Sequence, residues 1–296
     1  MKKIEINRQF NEYSLSCIEN YLLYLIAEKR SDWSLVFSQS FLPFIQIVKL
    51  FEEGQNYSHF KGISRLQKVA GKQGICYLEH LLSDRLPDDI IYNNSFAMQV
   101  KSEYMKCKYG KVLWREDHYI LFEHFNNTDF CYINNIPLDS GKMEINEMIN
   151  IYDGCLIKFE VNQLKKLSKS KILSECIANV MNQTEKVDNC KCIEVKQLTL
   201  EKLRDAIGVA KVLVKRMETF VKGYDESFCL ENYYKYLTCW YLKLEYARLK
   251  REHKFYIPDI ITEINKEDSL YYRLLLNKLL EIGDKCDGKR IQNVRN

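Results

Sequence analysis

Apolar residues recur at Ile18, Tyr21, Leu22, Leu25 and Ile26, the i, i+3, i+4, i+7, i+8 spacing of one helical face. Ser16 and Glu19 have the S-x-x-E spacing of a capping box, so the helix is predicted to start at Ser16 and to carry Cys17 in its first turn. A second apolar-rich segment over residues 33–53, with Phe37, Phe41, Phe44, Ile45 and Val48, predicts a helix broken or kinked near Pro43. A weaker helical pattern covers residues 63–80, and residues 84–89 with Pro87 read as a turn. The period then becomes two. Residues 96–107, 118–125, 129–136 and 155–161 are predicted strands, with Asn126-Asn127-Thr128 as the hairpin turn between the middle two and a short helix over 144–149. Beyond Val161 the helical period returns over residues 164–181, 198–222, 228–252 and 269–282, with Gly223 and Gly283 placed to end helices. There is neither an internal repeat nor a low-complexity linker. The pattern predicts an α+β domain with an antiparallel sheet over residues 1–161, followed by a mostly α-helical domain over residues 162–296.

Composition narrows the class. A chain of 296 residues with 46% hydrophobic content can bury a full core and has room for about two domains. Lys+Arg 44 against Asp+Glu 40 gives a net charge of +4, spread without a long basic block, so no nucleic-acid partner is expected. The 11 cysteines are scattered and odd in number, which reads as reduced thiols in a cytoplasmic protein rather than a disulfide framework. Lys2-Lys3 is followed by Glu5, Arg8 and Gln9 instead of the apolar core of a secretory signal, and the apolar run 21–27 is too short to span a bilayer, so no membrane association is expected.

Three stretches carry candidate chemistry. Cys17 opens a helix, where the unpaired N–H groups and the positive end of the helix dipole favour the nucleophilic thiolate over the thiol. His118 opens a predicted strand beside a loop, a position from which an imidazole can face a cleft. Asn134 ends the next predicted strand, and a hairpin between the two brings the amide beside the imidazole, with Asn135 as the alternative. The Cys190-Lys-Cys192 pair has no second Cys or His pair at zinc spacing, so neither metal nor cofactor is expected. Lys165, Lys166, Lys169 and Lys171, and Lys211, Lys215, Arg216 and Lys222, cluster on predicted helices and read first as solvated faces. Tyr233, Tyr236 and Trp240 read first as helix core.

A cysteine on an early helix, then a histidine at a strand start, then Asn or Asp ending the following strand, is the chain order of papain-like cysteine enzymes. The first half resembles the N-terminal domain of the butirosin biosynthesis acyltransferase family, relatives of the bacteriocin-processing double-glycine cysteine peptidases. The resemblance rests on S-C-I-E-N-Y-L-L at Ser16 to Leu23, D-H-Y-I-L-F at Asp117 to Phe122 and Y-I-N-N at Tyr132 to Asn135. It implies a papain-like fold and acyl transfer. Cys17 takes an acyl group as a thioester from an acyl or peptidyl carrier protein and passes it to a small-molecule amine acceptor, in secondary-metabolite or peptide biosynthesis. His118 is then the general base and acid, and Asn134 the orienting residue. The chain departs from the family at Ser16, where His is frequent, at Asn134, where Asp is usual, and at Glu123-His-Phe125, where a Gly commonly follows the histidine strand. The related peptidases place an oxyanion-binding Gln six residues before the cysteine; here Asn11 has that position and Gln9 stands nearby. A cysteine peptidase or amidase using the same triad, and a non-catalytic carrier-protein or metabolite-binding member of the fold, are the alternatives.

Overall fold

The computed structural model describes residues 10–55, 66–87, 95–110, 118–124, 129–188, 198–250 and 255–293. The chain is mixed α+β and divides into two compact units. One is Met1–Trp33 with Ala70–Lys165, the other Ser34–Val69 with Lys166–Asn296. The helical unit thus takes in residues 34–69 as well as the C-terminal half. Among the described residues no single helix is long and apolar enough to cross a membrane.

The first unit is built on helix α1 (Cys17–Lys29) and an antiparallel sheet. Ser16 caps α1 by accepting the Glu19 N–H at 3.2 Å, while the Glu19 carboxylate reaches back to the Leu15 N–H at 2.8 Å. Two of the unpaired donors at the helix start are satisfied in this way. At the other end Arg30 holds Asp32 through both carboxylate oxygens, at 2.8 and 2.9 Å, and donates to the carbonyls of Asn162 and Lys165. The end of α1 is thereby fixed to the segment that leaves the sheet.

Among the described residues, six strands lie in the order β1-β6-β2-β3-β4-β5, all antiparallel: β1 (Cys76–Leu82), β2 (Ser95–Val100), β3 (His118–His124), β4 (Asp129–Asn135), β5 (Leu138–Glu144) and β6 (Tyr152–Val161). One face of the central strands packs on α1. The other packs around Phe96, Phe122 and Phe130 with Met105 of α4 (Ser102–Tyr109) and Met148 of α5 (Ile145–Ile151). Phe96 stacks on Phe122 at 5.7 Å and meets Phe130 edge-on at 5.8 Å. Covered on both faces, β2 is buried almost throughout, whereas the outer strands β1 and β5 are largely exposed.

Three sequence expectations change here. The helix expected over 63–80 is α3 (Leu66–Gln73) followed by β1, because Cys76–Leu82 finds a partner in β6 that local propensity does not reveal. The strand expected over 96–107 stops at Val100, and Ser102–Tyr109 turns into α4, burying Met105. β5 continues directly from β4 through a short turn, where a connection leading to a helix was expected. The expected hairpin turn at 126–128 lies outside the described residues.

In the helical unit a 3-10 segment (Trp33–Gln39) is bent by 66° from α2 (Phe44–Glu52), and the break falls at Pro43 as expected. Then follow α6 (Lys169–Asp188), α7 (Leu200–Lys222), α8 (Glu231–Lys250) and α9 (Ile257–Asn293). The apolar face of α2 packs on α7 and α9, which is why residues 34–69 belong with these helices rather than with the sheet. Gly223 closes α7 as expected. Gly283 does not end its helix; it lies inside α9 against Ile177 of α6.

Candidate active site

Cys17 occupies the first position of α1, directly after the Ser16 cap, and its thiol is partly exposed. Four residues on, one turn along the same helix, stands Tyr21, whose side chain is fully buried. The Tyr21 hydroxyl lies 2.9 Å from the carbonyl oxygen of Tyr119 and 3.1 Å from Oδ1 of Asn135, two acceptors that share its single proton. The Asn135 N–H donates back to the same oxygen at 3.4 Å. The start of α1 is therefore bound to the residue next to His118 and to the residue next to Asn134. Burial raises the Tyr21 phenol well above its ordinary value, and a negative charge on Cys17 raises it further.

His118 opens β3 and Asn134 lies near the end of β4, and the two strands pair antiparallel. Nε2 of His118 is 2.7 Å from Oδ1 of Asn134, and both side chains are buried. The Asn134 amide nitrogen donates to the Ile136 carbonyl at 3.3 Å, so its oxygen faces the ring. That assigns the proton to Nε2 of His118 and leaves the Nδ1 lone pair as the basic site. Burial lowers the imidazole below its ordinary value, against the opposing pull of Asn134, so the ring is neutral at neutral pH and ready to accept a proton. Asn135, the alternative partner, is engaged by Tyr21 instead.

Behind Asn134 lies a polar network. The Tyr109 hydroxyl donates to Oδ2 of Asp139, the residue opposite Asn134 on β5, at 2.7 Å. Tyr132 donates to the same oxygen at 2.9 Å, and Nζ of Lys108 lies 3.4 Å from it and 2.7 Å from the Tyr132 hydroxyl. Burial pushes the Asp139 carboxyl up, but the two phenols and Lys108 outweigh it and hold the group below the usual carboxylate range. Gly141, opposite Tyr132 on β5, lets the Tyr132 ring lie across the strand; a Cβ there would come within 2.9 Å of the ring.

Of the oxyanion candidates, Gln9 lies outside the described residues. Asn11 is in a 3-10 turn ahead of α1, and its Oδ1 accepts from Nδ2 of the buried Asn20 at 2.6 Å. This fixes the Asn11 amide with its NH₂ as the remaining donor.

No protein-family model matches the chain, and neither a curated protein nor a solved structure does.

The site is thus described by its own geometry. Tyr21, Asn20, Lys108 and Tyr109 were not singled out from sequence. Tyr21 stands in the apolar stripe of α1, where only its i+4 spacing from Cys17 distinguishes it. Among the described residues no group of three or more His, Cys, Asp or Glu side chains is arranged to hold a metal ion.

Proposed function

We propose that the chain is a papain-like cysteine acyltransferase, with Cys17 as nucleophile, His118 as general base and acid, and Asn134 as the orienting residue. The observation that carries this reading is the 2.7 Å hydrogen bond between His118 and Asn134, formed at the strand positions next to those that Tyr21 binds to the Cys17 helix. In the proposed cycle Nδ1 of His118 takes the Cys17 proton as sulfur attacks a thioester carbonyl. The imidazolium then protonates the departing thiolate of the donor, an acyl or peptidyl carrier protein. An amine next attacks the acyl-Cys17 thioester and loses its proton to His118, and the amide leaves as the thiol is regenerated. The Asn11 NH₂ and the start of α1 are the candidate donors to the oxyanion.

An orienting amide in place of a carboxylate also suits a papain-like peptidase or amidase, in which water discharges the same intermediate. Acyl-loaded carrier protein, or an acyl N-acetylcysteamine thioester, distinguishes these readings when intact mass is followed with and without an amine. Transfer gives an adduct on Cys17 that persists until amine is added and then yields amide, and Cys17→Ala gives none. Rapid release of free acid without amine identifies a hydrolase. Failure of any thioester to label Cys17 rejects both and leaves a binding protein of the same fold.

A further inference from the structure

The helical unit contains a cavity of about 580 Å³ between α8 and α9, within the size range of small-molecule sites. Its wall includes Tyr233 and Tyr236 from α8 and Tyr271 from α9. The rings form a near-parallel row: Tyr233 stacks on Tyr271 at 4.8 Å and on Tyr236 at 6.3 Å, each at 16°. Leu270 and Leu274 supply apolar surface, and both are more than half exposed. Among the described residues, Glu267 is the one charged side chain of the lining.

The electrostatics of this wall are one-sided. The Tyr233 hydroxyl donates to Asp268 at 2.6 Å, and Tyr236 lies 3.4 Å from the Glu263 carboxylate. Burial raises the Tyr233 and Tyr271 phenols well above their ordinary value, and the Asp268 carboxylate raises both further. Elsewhere in this unit lysines cover the aromatic faces: Lys211 lies 5.2 Å from the Tyr234 ring and 5.1 Å from Tyr241, and Lys243 lies 4.4 Å from Trp240. Among the described residues no lysine or arginine is placed over Tyr233, Tyr236 or Tyr271. A row of phenol rings with carboxylates beside it and no cation of its own complements a positive charge on an apolar body.

We propose that the cavity between α8 and α9 binds an organic cation, an alkylated or aryl ammonium, with the charge set between the tyrosine rings and Glu267 and the apolar part against Leu270 and Leu274. The inference stands independently of the Cys17 chemistry.

The test titrates the full chain with benzyltrimethylammonium, with choline and with 3,3-dimethylbutan-1-ol, the uncharged isostere of choline. It is read by calorimetry and by alkylation of Cys229, which lines the cavity. One saturable site is expected, with benzyltrimethylammonium tightest and choline about ten-fold tighter than its isostere. Benzyltrimethylammonium should slow alkylation of Cys229 and leave unchanged that of Cys239, which is exposed on α8. Glu267→Gln should weaken the cation about five-fold and spare the isostere. Leu274→Trp, which fills the cavity from an exposed position, should abolish binding without lowering the melting temperature. Equal affinity for choline and its isostere, absence of saturable binding, or binding that survives Leu274→Trp overturns the proposal.

Discussion

Nε2 of His118 lies 2.7 Å from Oδ1 of Asn134, a residue sixteen positions away in sequence. The contact fixes both the rotation of the imidazole and its tautomer. Asn134→Ala removes it and should slow formation of the Cys17 adduct on the order of 10²-fold, the scale of a disabled general base. Asn134→Asp should retain most of the rate but shift its pH dependence. In the native chain burial holds the imidazole below its ordinary value, so the rate should hold as pH falls to 6.5 and decline only below it. A carboxylate at 134 favours the imidazolium, and the decline should begin at higher pH. A pH–rate profile identical in the two proteins removes Asn134 from the orienting role.

Cys17 should be the thiol most reactive toward limiting iodoacetamide near neutral pH, ahead of the more exposed Cys107, Cys229 and Cys239. Tyr21→Phe keeps the ring but deprives the Tyr119 carbonyl and the Asn135 side chain of their shared donor. The loss should be about 1–2 kcal/mol of stability together with slower Cys17 labelling, since the start of α1 is no longer held to the strands. Peptide mass mapping and chemical denaturation measure the two effects separately, and uniform labelling of the exposed cysteines counts against a nucleophilic Cys17.

Much of this was readable from local pattern, and what escaped did so for physical reasons. The capping box at Ser16 and Glu19 located α1, and strand spacing placed Asn134 beside His118, because both relationships are encoded within a few residues or one hairpin. The outer strands were missed. In Glu79-His80 and Asp139-Ser140-Gly141-Lys142 the side chains mostly face solvent, so no apolar alternation marks them. Helix α4 was hidden because a single apolar side chain, Met105, is its buried contribution to the core. Tyr21 counted as an apolar residue by periodicity, and its hydroxyl finds partners about a hundred positions away, which no window along the sequence contains.

Gly141→Ala tests the network behind Asn134. The new methyl would sit 2.9 Å from the Tyr132 ring, which must move, and its hydroxyl with it, away from Asp139 and Lys108. The cost should be about 1–3 kcal/mol of stability for overpacking. Tyr132→Phe removes the hydroxyl without the clash; denaturation midpoints for both variants separate steric from polar effects, and a fully stable Gly141→Ala chain refutes the close approach.

Asp268 in the helical unit gives a pH signature of its own. It accepts from the Tyr233 and Tyr272 hydroxyls and from the Phe44 N–H at the start of α2, yet burial pushes its carboxyl up to about 6. Because the folded value lies above the unfolded one, its contribution to stability is fully present below about pH 4 and is lost as pH rises through 6. Between pH 4 and 7.5 the loss should be on the order of 2–3 kcal/mol. Asp268→Asn should flatten that part of the stability profile, and Asp268→Ala, which strands three donors, should destabilise at every pH. Parallel wild-type and Asp268→Asn profiles across this interval contradict the assignment.

The β3–β4 ladder, which sets Leu121 opposite Ile133, positions the Asn134 and Asn135 that follow on β4. Neighbouring side chains on a strand leave it on opposite sides, so the two amides serve different masters: one meets an imidazole, the other a phenol. A slip of one residue would exchange their sides. The pairing of β4 with β3 therefore acts as a gauge, graduated in single residues, that sets which asparagine the histidine meets.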